Sequence, residues 1–334
     1  MNVLKKISLS FAVILAAVML YSCSSINQYP ENCGVYLQFV YDHNMEYVDS
    51  FNPQVGSVNI YVFDENGNFL FEKSSDSADL VDGNKMLILG DAVSGKYQVL
   101  SVGGLCDHFS ISDINGVGLT TGTANLQDFQ LACVRTSSTV EHQINDLWFG
   151  NVIQIDYNLK RDIHKVTFLK NTNRFNVTLV KQGTEEEITA TASYSYTVEI
   201  VTPEGAAYSW NNQPLSNESV TYKPYYIGVN EEGAWLGNLS TVRLLDSGDD
   251  YRLRVKNMTT GQMLWDYDLM KLLRHGMKST RPDGSELPFQ EYLDRKSVWD
   301  LAILYKGDDS DPNSFIALGL HMGDWILWFK DIEM

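Results

Sequence analysis

Short runs in which every second residue is apolar recur along most of the chain. Val58, Ile60 and Val62 share one face of such a run, and residues 251–255 alternate in the same way. A period of two, combined with β-branched and aromatic residues, is typical of half-buried β-strands. Glycine-containing turns separate the runs. The pattern predicts a mainly β protein built as antiparallel β-sandwiches.

A polar turn, residues 64–68, separates one apolar run from the next, which begins at Phe69. Asn66-Gly67 between two such runs predicts a β-hairpin, because both residues tolerate the positive φ angles of the turn. A calcium-binding loop is the alternative interpretation. Gly67 stands fourth in it, whereas an EF-hand loop has glycine sixth and glutamate twelfth, so the hairpin is preferred.

Further runs complete the predicted elements. Residues 86–89 and 97–102 are predicted to form a strand pair joined by a glycine-containing turn. One helix is predicted within residues 264–277, with Arg274 and His275 at its end before the stop signal Gly276, and a shorter one over 288–295. The final runs, 316–320 and 325–329, are predicted to pair as a hairpin across residues 322–324.

A new series of alternating runs begins after Lys160, so a domain boundary is predicted there. The predicted N-terminal β-sandwich covers residues 34–160 and the C-terminal β-sandwich covers residues 161–334. Both predicted helices fall in the second domain.

The first 22 residues predict a secretion signal. Lys5 and Lys6 precede an uncharged apolar stretch, residues 7–20. This stretch is shorter than the roughly 20 apolar residues that a membrane-spanning helix needs. A signal peptide is therefore favoured over a permanent transmembrane helix.

The stretch ends in Leu20-Tyr21-Ser22-Cys23, which resembles the lipobox of bacterial lipoproteins. In such proteins the cysteine thiol takes a diacylglyceryl group, the chain is cut before the cysteine, and the new amino terminus is acylated, typically with palmitate. The resemblance implies a signal peptide at residues 1–22, lipid on Cys23 and a lipidated tether at residues 23–33. Two or more acyl chains hold a protein stably on a membrane, whereas one holds it only marginally. An ordinary signal peptide with a chance cysteine is the alternative.

The chain is acidic, and loss of Lys5 and Lys6 with the signal peptide would change its net charge from −17 to −19. Lysine and arginine are not clustered, which argues against nucleic-acid binding. Hydrophobic residues make up 44% of the sequence, enough to build ordered cores. Besides Cys23, the chain has Cys33, Cys106 and Cys133, so at most one internal disulfide can form, and its partners stay open.

Four residue patterns that are typical of particular enzyme classes do not occur in the sequence. The GxSxG, P-loop and HExxH patterns are absent, as is a GxGxxG that opens a helix. The pair Asp249-Asp250 and the group Asp308, Asp309 and Asp311 could bind calcium or act as glycosidase acids, but they stand beside glycines in turn-like sequence. We therefore predict no enzymatic activity and no cofactor. Each of the six histidines is interpreted as a surface or packing residue: His43, His108, His142, His164, His275 and His321.

Aromatic residues are concentrated between residues 210 and 235. Trp210, Tyr222, Tyr225, Tyr226 and Trp235 could form a face that stacks on pyranose rings, which would favour a surface glycan-binding lipoprotein. The preferred interpretation is that they fill the second core or line a subunit contact.

Several segments carry a resemblance to a known family. They are residues 33–45, 57–67, 95–97, 146–150 (Asp-Leu-Trp-Phe-Gly), 169–173 (Leu-Lys-Asn-Thr-Asn), 290–295 and 323–325. In these segments the chain resembles the fimbrial anchor lipoproteins, the FimB-like basal subunits of the type V fimbriae of gut and oral anaerobes. The resemblance implies two tandem transthyretin-like β-sandwiches, with a few short helices in the second. It also implies attachment to the cell outer membrane through Cys23, facing the exterior, at the base of a fimbrium (pilus).

No arginine occurs between Cys23 and Val134. Related shaft subunits mature by cleavage after an arginine, which frees a groove for the next subunit's donor strand. The resemblance therefore implies that this chain keeps its first strand and its lipid, limits the length of the fimbrium and contributes indirectly to cell adhesion. The shaft subunit would join by β-strand addition elsewhere. Trp325, Leu327 and Phe329 form the candidate subunit contact strand.

Overall fold

The structure is a computed structural model that describes residues 34–80, 83–90, 94–182, 195–231, 233–248, 250–277, 280–308, 310–323 and 325–329. The predicted signal peptide, Leu20, Tyr21, Ser22, Cys23, the tether and Cys33 lie outside these residues, as do Asp249 and Asp309. In the described part of the chain no helix is both long and apolar enough to span a membrane.

Strands dominate the described residues, as predicted. Three short α-helices interrupt them: α1 (Phe51–Gln54), α2 (Leu269–His275) and α3 (Phe289–Arg295). The strands are β1 (Gly34–Val40), β2 (Ser57–Asp64), β3 (Phe69–Asp76), β4 (Lys85–Leu89), β5 (Gly95–Gly103), β6 (Phe109–Ser112), β7 (Gln130–Cys133), β8 (Thr139–Val140), β9 (Trp148–Gly150), β10 (Ile153–Tyr157), β11 (Arg161–Lys170), β12 (Thr172–Lys181), β13 (Tyr196–Thr202), β14 (Ala207–Ser209), β15 (Val220–Tyr222), β16 (Tyr226–Val229), β17 (Trp235–Val242), β18 (Arg252–Asn257), β19 (Met263–Asp268), β20 (Val298–Asp308), β21 (Asp311–Met322) and β22 (Trp325–Trp328).

The described strands form four sheets. An eight-stranded sheet has the order β3-β2-β5-β9-β11-β1-β4, with β10 also paired to β5. A six-stranded sheet has the order β16-β17-β12-β20-β21-β22, a five-stranded sheet β19-β18-β13-β15-β8, and a three-stranded sheet β14-β7-β6. Most pairs are antiparallel, but β1 with β11, β12 with β20, and β8 with β15 are parallel.

The predicted hairpin at residues 64–68 is confirmed. Strands β2 and β3 pair across it, and Gly67 has a φ angle of +83°. The Asp64 carboxylate accepts hydrogen bonds from the backbone N–H groups of Asn66 and Asn68, both at 2.8 Å. Slight burial raises the pKa of Asp64, but hydrogen bonds from the Asn68 side chain and from these backbone groups together lower it. The acidic side chain therefore stabilises the turn itself.

The predicted pairing of residues 86–89 with 97–102 is wrong. Strand β4 pairs with β1, whereas β5 pairs with β2, β9 and β10. The ladder between β5 and β2 runs from Val58 opposite Gly103 to Asp64 opposite Tyr97 and buries most of the second half of β5. This long-range burial outweighs the closeness of β4 and β5 in sequence.

The predicted helix over 264–277 is correct only in its second half. Residues 263–268 form β19, paired with β18, and the helix begins after Asp268, whose carboxylate accepts the backbone N–H of Lys271. This hydrogen bond is an N-cap, and it fixes the start of α2. Arg274 and His275 occupy the last turn before Gly276, as predicted.

Two hydrophobic clusters form the core of the residues that the structure describes. The smaller takes its residues from Val35 to Phe168, and in it the rings of Phe39, Phe51 and Phe168 pack with centroids 5.6–5.9 Å apart. The larger extends from Tyr61 to Met322 and so includes residues from both halves of the chain.

Hydrogen-bonded pairing changes partner at Asn171. Strand β11 pairs with β1 and β9 of the eight-stranded sheet, whereas β12 begins at Thr172 and pairs with β17 and β20. The predicted boundary at Lys160 precedes β11. In addition, β7 pairs with β14 and β8 pairs with β15, so strands from either side of that boundary share sheets.

Candidate functional site

The C-terminal strand β22 lies at one edge of the six-stranded sheet. It pairs with β21 from Met322 opposite Trp325 to Gly319 opposite Trp328. Among the described residues, no strand pairs with its other side. The hairpin predicted over residues 316–329 is therefore confirmed, and its last strand presents an unpaired backbone edge.

Three large apolar side chains of this strand are exposed: Trp325 at 64%, Ile326 at 51% and Trp328 at 42%. Gly319 lies opposite Trp328, and a Cβ atom there would lie 3.1 Å from the Trp328 ring and 2.7 Å from the Leu327 carbonyl oxygen. Glycine thus lets the two strands approach closely. We refer to Trp325, Ile326 and Trp328 with the β22 backbone as the C-terminal edge.

The inner side chains of the same segment pack on the core. Leu327 is partly buried against the larger cluster. The Phe329 ring lies 5.3 Å from that of Trp265 and 5.2 Å from that of Tyr267, both on β19. Of the three predicted contact residues, only Trp325 is exposed.

Ile326 and Trp328 are exposed residues that the sequence analysis did not select. All five residues from Trp325 to Phe329 are apolar. Alternation therefore gives no sign of which face is buried.

The opposite edge of the same sheet is β16. Tyr226 and Val229 on this strand are exposed, at 51% and 37%. Strand β16 pairs with β17, from Tyr226 opposite Asn238 to Val229 opposite Trp235. The sheet therefore presents an exposed apolar residue at each of its two edges.

The aromatic residues between 210 and 235 do not form one face. Tyr222 and Trp235 are buried in the larger core cluster, so the packing interpretation is correct for both. Tyr225 is half-buried and Tyr226 is exposed on β16. Trp210 is half-buried and borders a cleft on another part of the surface.

The two family-like segments 146–150 and 169–173 meet where β11 passes into β12. The Leu147 carbonyl accepts the backbone N–H of Asn171 at 2.7 Å, and the Leu147 N–H donates to the Thr172 hydroxyl at 3.2 Å. Asp146 forms ion pairs with Lys170 and Arg174, each at 3.0 Å. Burial lowers the pKa of Lys170, and Asp146 opposes this shift.

The family-like segment 290–295 lies on α3 and contacts the loop that follows β1. Arg295 donates from Nη1 to the carbonyl oxygens of Asp42 and Asn44, both at 3.1 Å, and its guanidinium lies 4.3 Å from the centroid of the Tyr47 ring. Glu291 accepts hydrogen bonds from Arg281 and Arg295. The Arg281 guanidinium is the main cause that lowers the pKa of Glu291 to about 2.

The cleft beside Trp210 has a volume of about 480 Å³ and lies between β9, β11 and the turn after β14. Trp210, Asn211, Asn212 and Gln213 form one wall, and His43 and Arg243 also line it. Its volume falls in the range of about 300–1,000 Å³ that is typical of small-ligand pockets.

The described residues give little support for a metal site or a reactive cysteine. They contain no group of three or more His, Cys, Asp or Glu side chains arranged to hold a metal ion. Cys106 and Cys133 are free thiols, and burial raises the pKa of Cys133 to about 12. A buried thiol with a raised pKa is a poor nucleophile.

A family model described as fimbrillin-A associated anchor proteins Mfa1 and Mfa2 matches residues 29–331. The chain belongs to this family. Fimbrial anchor proteins are structural components of the cell surface, and the match confirms the resemblance found in the sequence. No curated protein sequence matches the chain.

Solved structures of related proteins have the same fold. A candidate adhesin from Bacteroides ovatus is 38% identical, with 90% of this chain and 97% of the other covered and a TM-score of 0.81. A candidate polysaccharide-binding protein from Bacteroides thetaiotaomicron is 25% identical, with 89% and 98% covered and a TM-score of 0.74. The fimbrial anchor protein Mfa2 from Porphyromonas gingivalis is 16% identical, with 88% and 98% covered and a TM-score of 0.64, a likeness of fold.

Proposed function

We propose that this protein is an outer-membrane lipoprotein that anchors the base of a fimbrium to the cell surface and limits its length. The family match over residues 29–331 is the observation that carries the proposal. The lipobox Leu20-Tyr21-Ser22-Cys23 supports attachment through lipid on Cys23, with the domains facing the exterior.

The position of β1 supports the role of a base subunit. Strand β1 lies inside the eight-stranded sheet, between β11 and β4. Loss of β1 would expose the edges of β11 and β4. The first arginine after Cys23 is Arg135, so no arginine stands where cleavage would remove β1 alone. The lipid and the first sheet would then stay on one covalent chain.

The C-terminal edge is our candidate for the junction with the first shaft subunit. An unpaired strand edge can accept a strand from a partner, with backbone hydrogen bonds for affinity and side-chain contacts for specificity. Trp325, Ile326 and Trp328 offer exposed apolar area beside that edge. Aromatic residues of this kind are common at the centres of protein interfaces.

Lysine substitutions on β22 test the junction. In cells that make the fimbrium, Ile326→Lys combined with Trp328→Lys should release fimbriae into the medium while the anchor stays on the cells, because lysine on an edge strand disfavours strand addition. The matched control is Tyr226→Lys on the opposite edge of the same sheet, which should leave fimbriae attached. Attached fimbriae in the double variant, or release by the control alone, would contradict the assignment of the C-terminal edge.

The cleft beside Trp210 supports a second candidate function, the binding of a glycan at the cell surface. It combines an indole ring with amide side chains, a combination suited to sugar rings and their hydroxyl groups. The description of the Bacteroides thetaiotaomicron relative as a candidate polysaccharide-binding protein points in the same direction. This function is compatible with anchoring.

A further inference from the structure

The wall of the cleft that carries Trp210 is a tightly hydrogen-bonded turn. The backbone N–H of Ser209 donates to the Gln213 carbonyl, and that of Asn212 donates to the Ser209 carbonyl, both at 2.9 Å. The Ser209 hydroxyl donates to the Asn211 side chain at 2.6 Å. The turn is therefore defined before any ligand arrives.

Side chains from other elements hold this turn in place. Asn212 and Asn171 exchange two amide hydrogen bonds, of 2.5 and 2.9 Å. Arg243 donates from Nη1 to the Asn212 carbonyl at 3.2 Å. Because Asn171 separates β11 from β12, the turn is fixed to the point where the eight-stranded and six-stranded sheets meet. A fixed wall lowers the entropic cost of binding.

The charge in the cleft is already neutralised within the protein. Arg243 is the cation that lines it, and Asp294 accepts two hydrogen bonds from its guanidinium, at 2.7 and 2.8 Å. The chain as a whole has a net charge of −17. Both facts disfavour an anionic ligand such as a phosphate or an acidic polysaccharide.

One polar atom at the cleft is left without a partner. His43 Nε2 is buried and has no hydrogen-bond partner among the described residues. Burial lowers the pKa of His43 and Arg295 lowers it further, against the opposing effects of Asp294, Glu291 and Asp42. A lowered pKa leaves the imidazole uncharged at neutral pH, so His43 adds no positive charge to the cleft.

We propose that this cleft binds a short, uncharged saccharide, with Trp210 as the stacking surface. The inference rests on the second proposed function and gives it a site and a ligand class. Amide groups of Asn211 and Gln213 would exchange hydrogen bonds with ring hydroxyls. A neutral ligand with apolar ring faces and hydroxyl groups matches a cleft that is lined by the Trp210 indole, by the apolar side chains of Phe149, Val152 and Leu169, and by uncharged amide groups.

The test uses the full-length protein in detergent on an array of neutral, sialylated and sulfated oligosaccharides, followed by titration with the strongest neutral binder. Trp210→Ala should raise the dissociation constant about tenfold or more, which corresponds to about 1.4 kcal/mol. Gln213→Ala should raise the dissociation constant by a smaller factor. Because this variant keeps the indole, it tests the cleft even if Trp210→Ala fails to fold. Trp325→Ala, which removes an exposed indole at the C-terminal edge, is the matched control and should bind as the wild type does.

Each remaining result overturns the proposal in a distinct way. Absence of glycan binding by the wild type would remove both the cleft assignment and the second function. Binding that is unchanged in Trp210→Ala and Gln213→Ala would leave the function but move it to another surface. Binding restricted to sialylated or sulfated glycans would contradict the ligand class. None of these results bears on anchoring, which is measured on cells.

Discussion

Gly34, the first residue of β1, lies opposite Arg161, the first residue of β11, and the two strands continue in parallel to the pair of Val40 and Thr167. The proposed lipid precedes Gly34 in the chain. At the other end of the ladder, β11 leads through Asn171 into β12, and Arg295 binds the carbonyl groups of Asp42 and Asn44. A load on the second half would therefore pull β1 and β11 in opposite directions along their length.

This geometry predicts strong mechanical resistance. Pulling between the amino-terminal tether and the carboxyl terminus loads the backbone pairs of the ladder together, each hydrogen bond contributing about 0.5–1.5 kcal/mol. Pulling between the same tether and a cysteine introduced by Arg161→Cys opens the pairs one after another. Single-molecule force spectroscopy, with the other cysteines replaced, should give a higher rupture force in the first geometry. Equal forces would show that the ladder is not the resisting element.

The ion pair of Arg243 and Asp294 should be important for stability. Both side chains are largely buried, at 11% and 7% exposure. Asp294→Ala leaves a buried cation unpaired and should lower the free energy of unfolding by about 3–5 kcal/mol. Asp250→Ala breaks the pair with Arg252, but Asp250 is 76% exposed, so the cost should stay below about 1 kcal/mol. Urea denaturation of both variants measures the difference, and equal effects would contradict the prediction.

Glu291 should make stability depend on acid pH. Its pKa is lowered from the ordinary glutamate value of 4.5 to about 2 in the folded protein, chiefly by the hydrogen bond from Arg281. A lowered pKa stabilises the folded state above the unfolded pKa, and this contribution is lost as the pH falls from about 4.5 to 2. The difference in urea midpoint between the wild type and Glu291→Gln should therefore have its largest value at pH 6 and should decrease steadily below pH 4.5. A difference that stays constant down to pH 2.5 would argue against the ion-pair assignment.

The backbone at Asn212 makes a separate prediction. Its φ angle is +59°, in the left-handed region that asparagine and glycine tolerate better than other residues. Asn212→Gly loses the amide pair with Asn171, whereas Asn212→Ala loses that pair and also strains the backbone. We expect the alanine variant to be less stable than the glycine variant by about 1 kcal/mol in urea denaturation. The reverse order would mean that the turn relaxes to another conformation.

Local patterns were sufficient for many of the elements. The alternation of apolar residues predicted β2, and Asn66-Gly67 predicted the hairpin between β2 and β3. The final apolar runs predicted the pairing of β21 with β22. Each of these features depends on residues close in sequence. The stop signal at Gly276 was identified for the same reason.

These local patterns could not predict which strands pair when they are distant in the sequence. The parallel ladder between β1 and β11 joins residues more than a hundred positions apart, and alternation in each strand does not name its partner. Leu264 to Tyr267 carried apolar residues compatible with either helix or strand, and pairing with β18 decided for strand. The cleft also depends on tertiary structure, because His43, Trp210 and Arg243 come together only in the folded chain.

Attachment of fimbriae through Cys23 is the central claim, and cell fractionation of a Cys23→Ala variant tests it most directly. Cys33→Ala, a change ten residues further along the predicted tether, is the matched control. We predict that Cys23→Ala moves both the protein and its fimbriae from the membrane fraction into the medium, whereas Cys33→Ala leaves both on the cells. Fimbriae that stay on the cells when the Cys23→Ala protein is released would contradict the account.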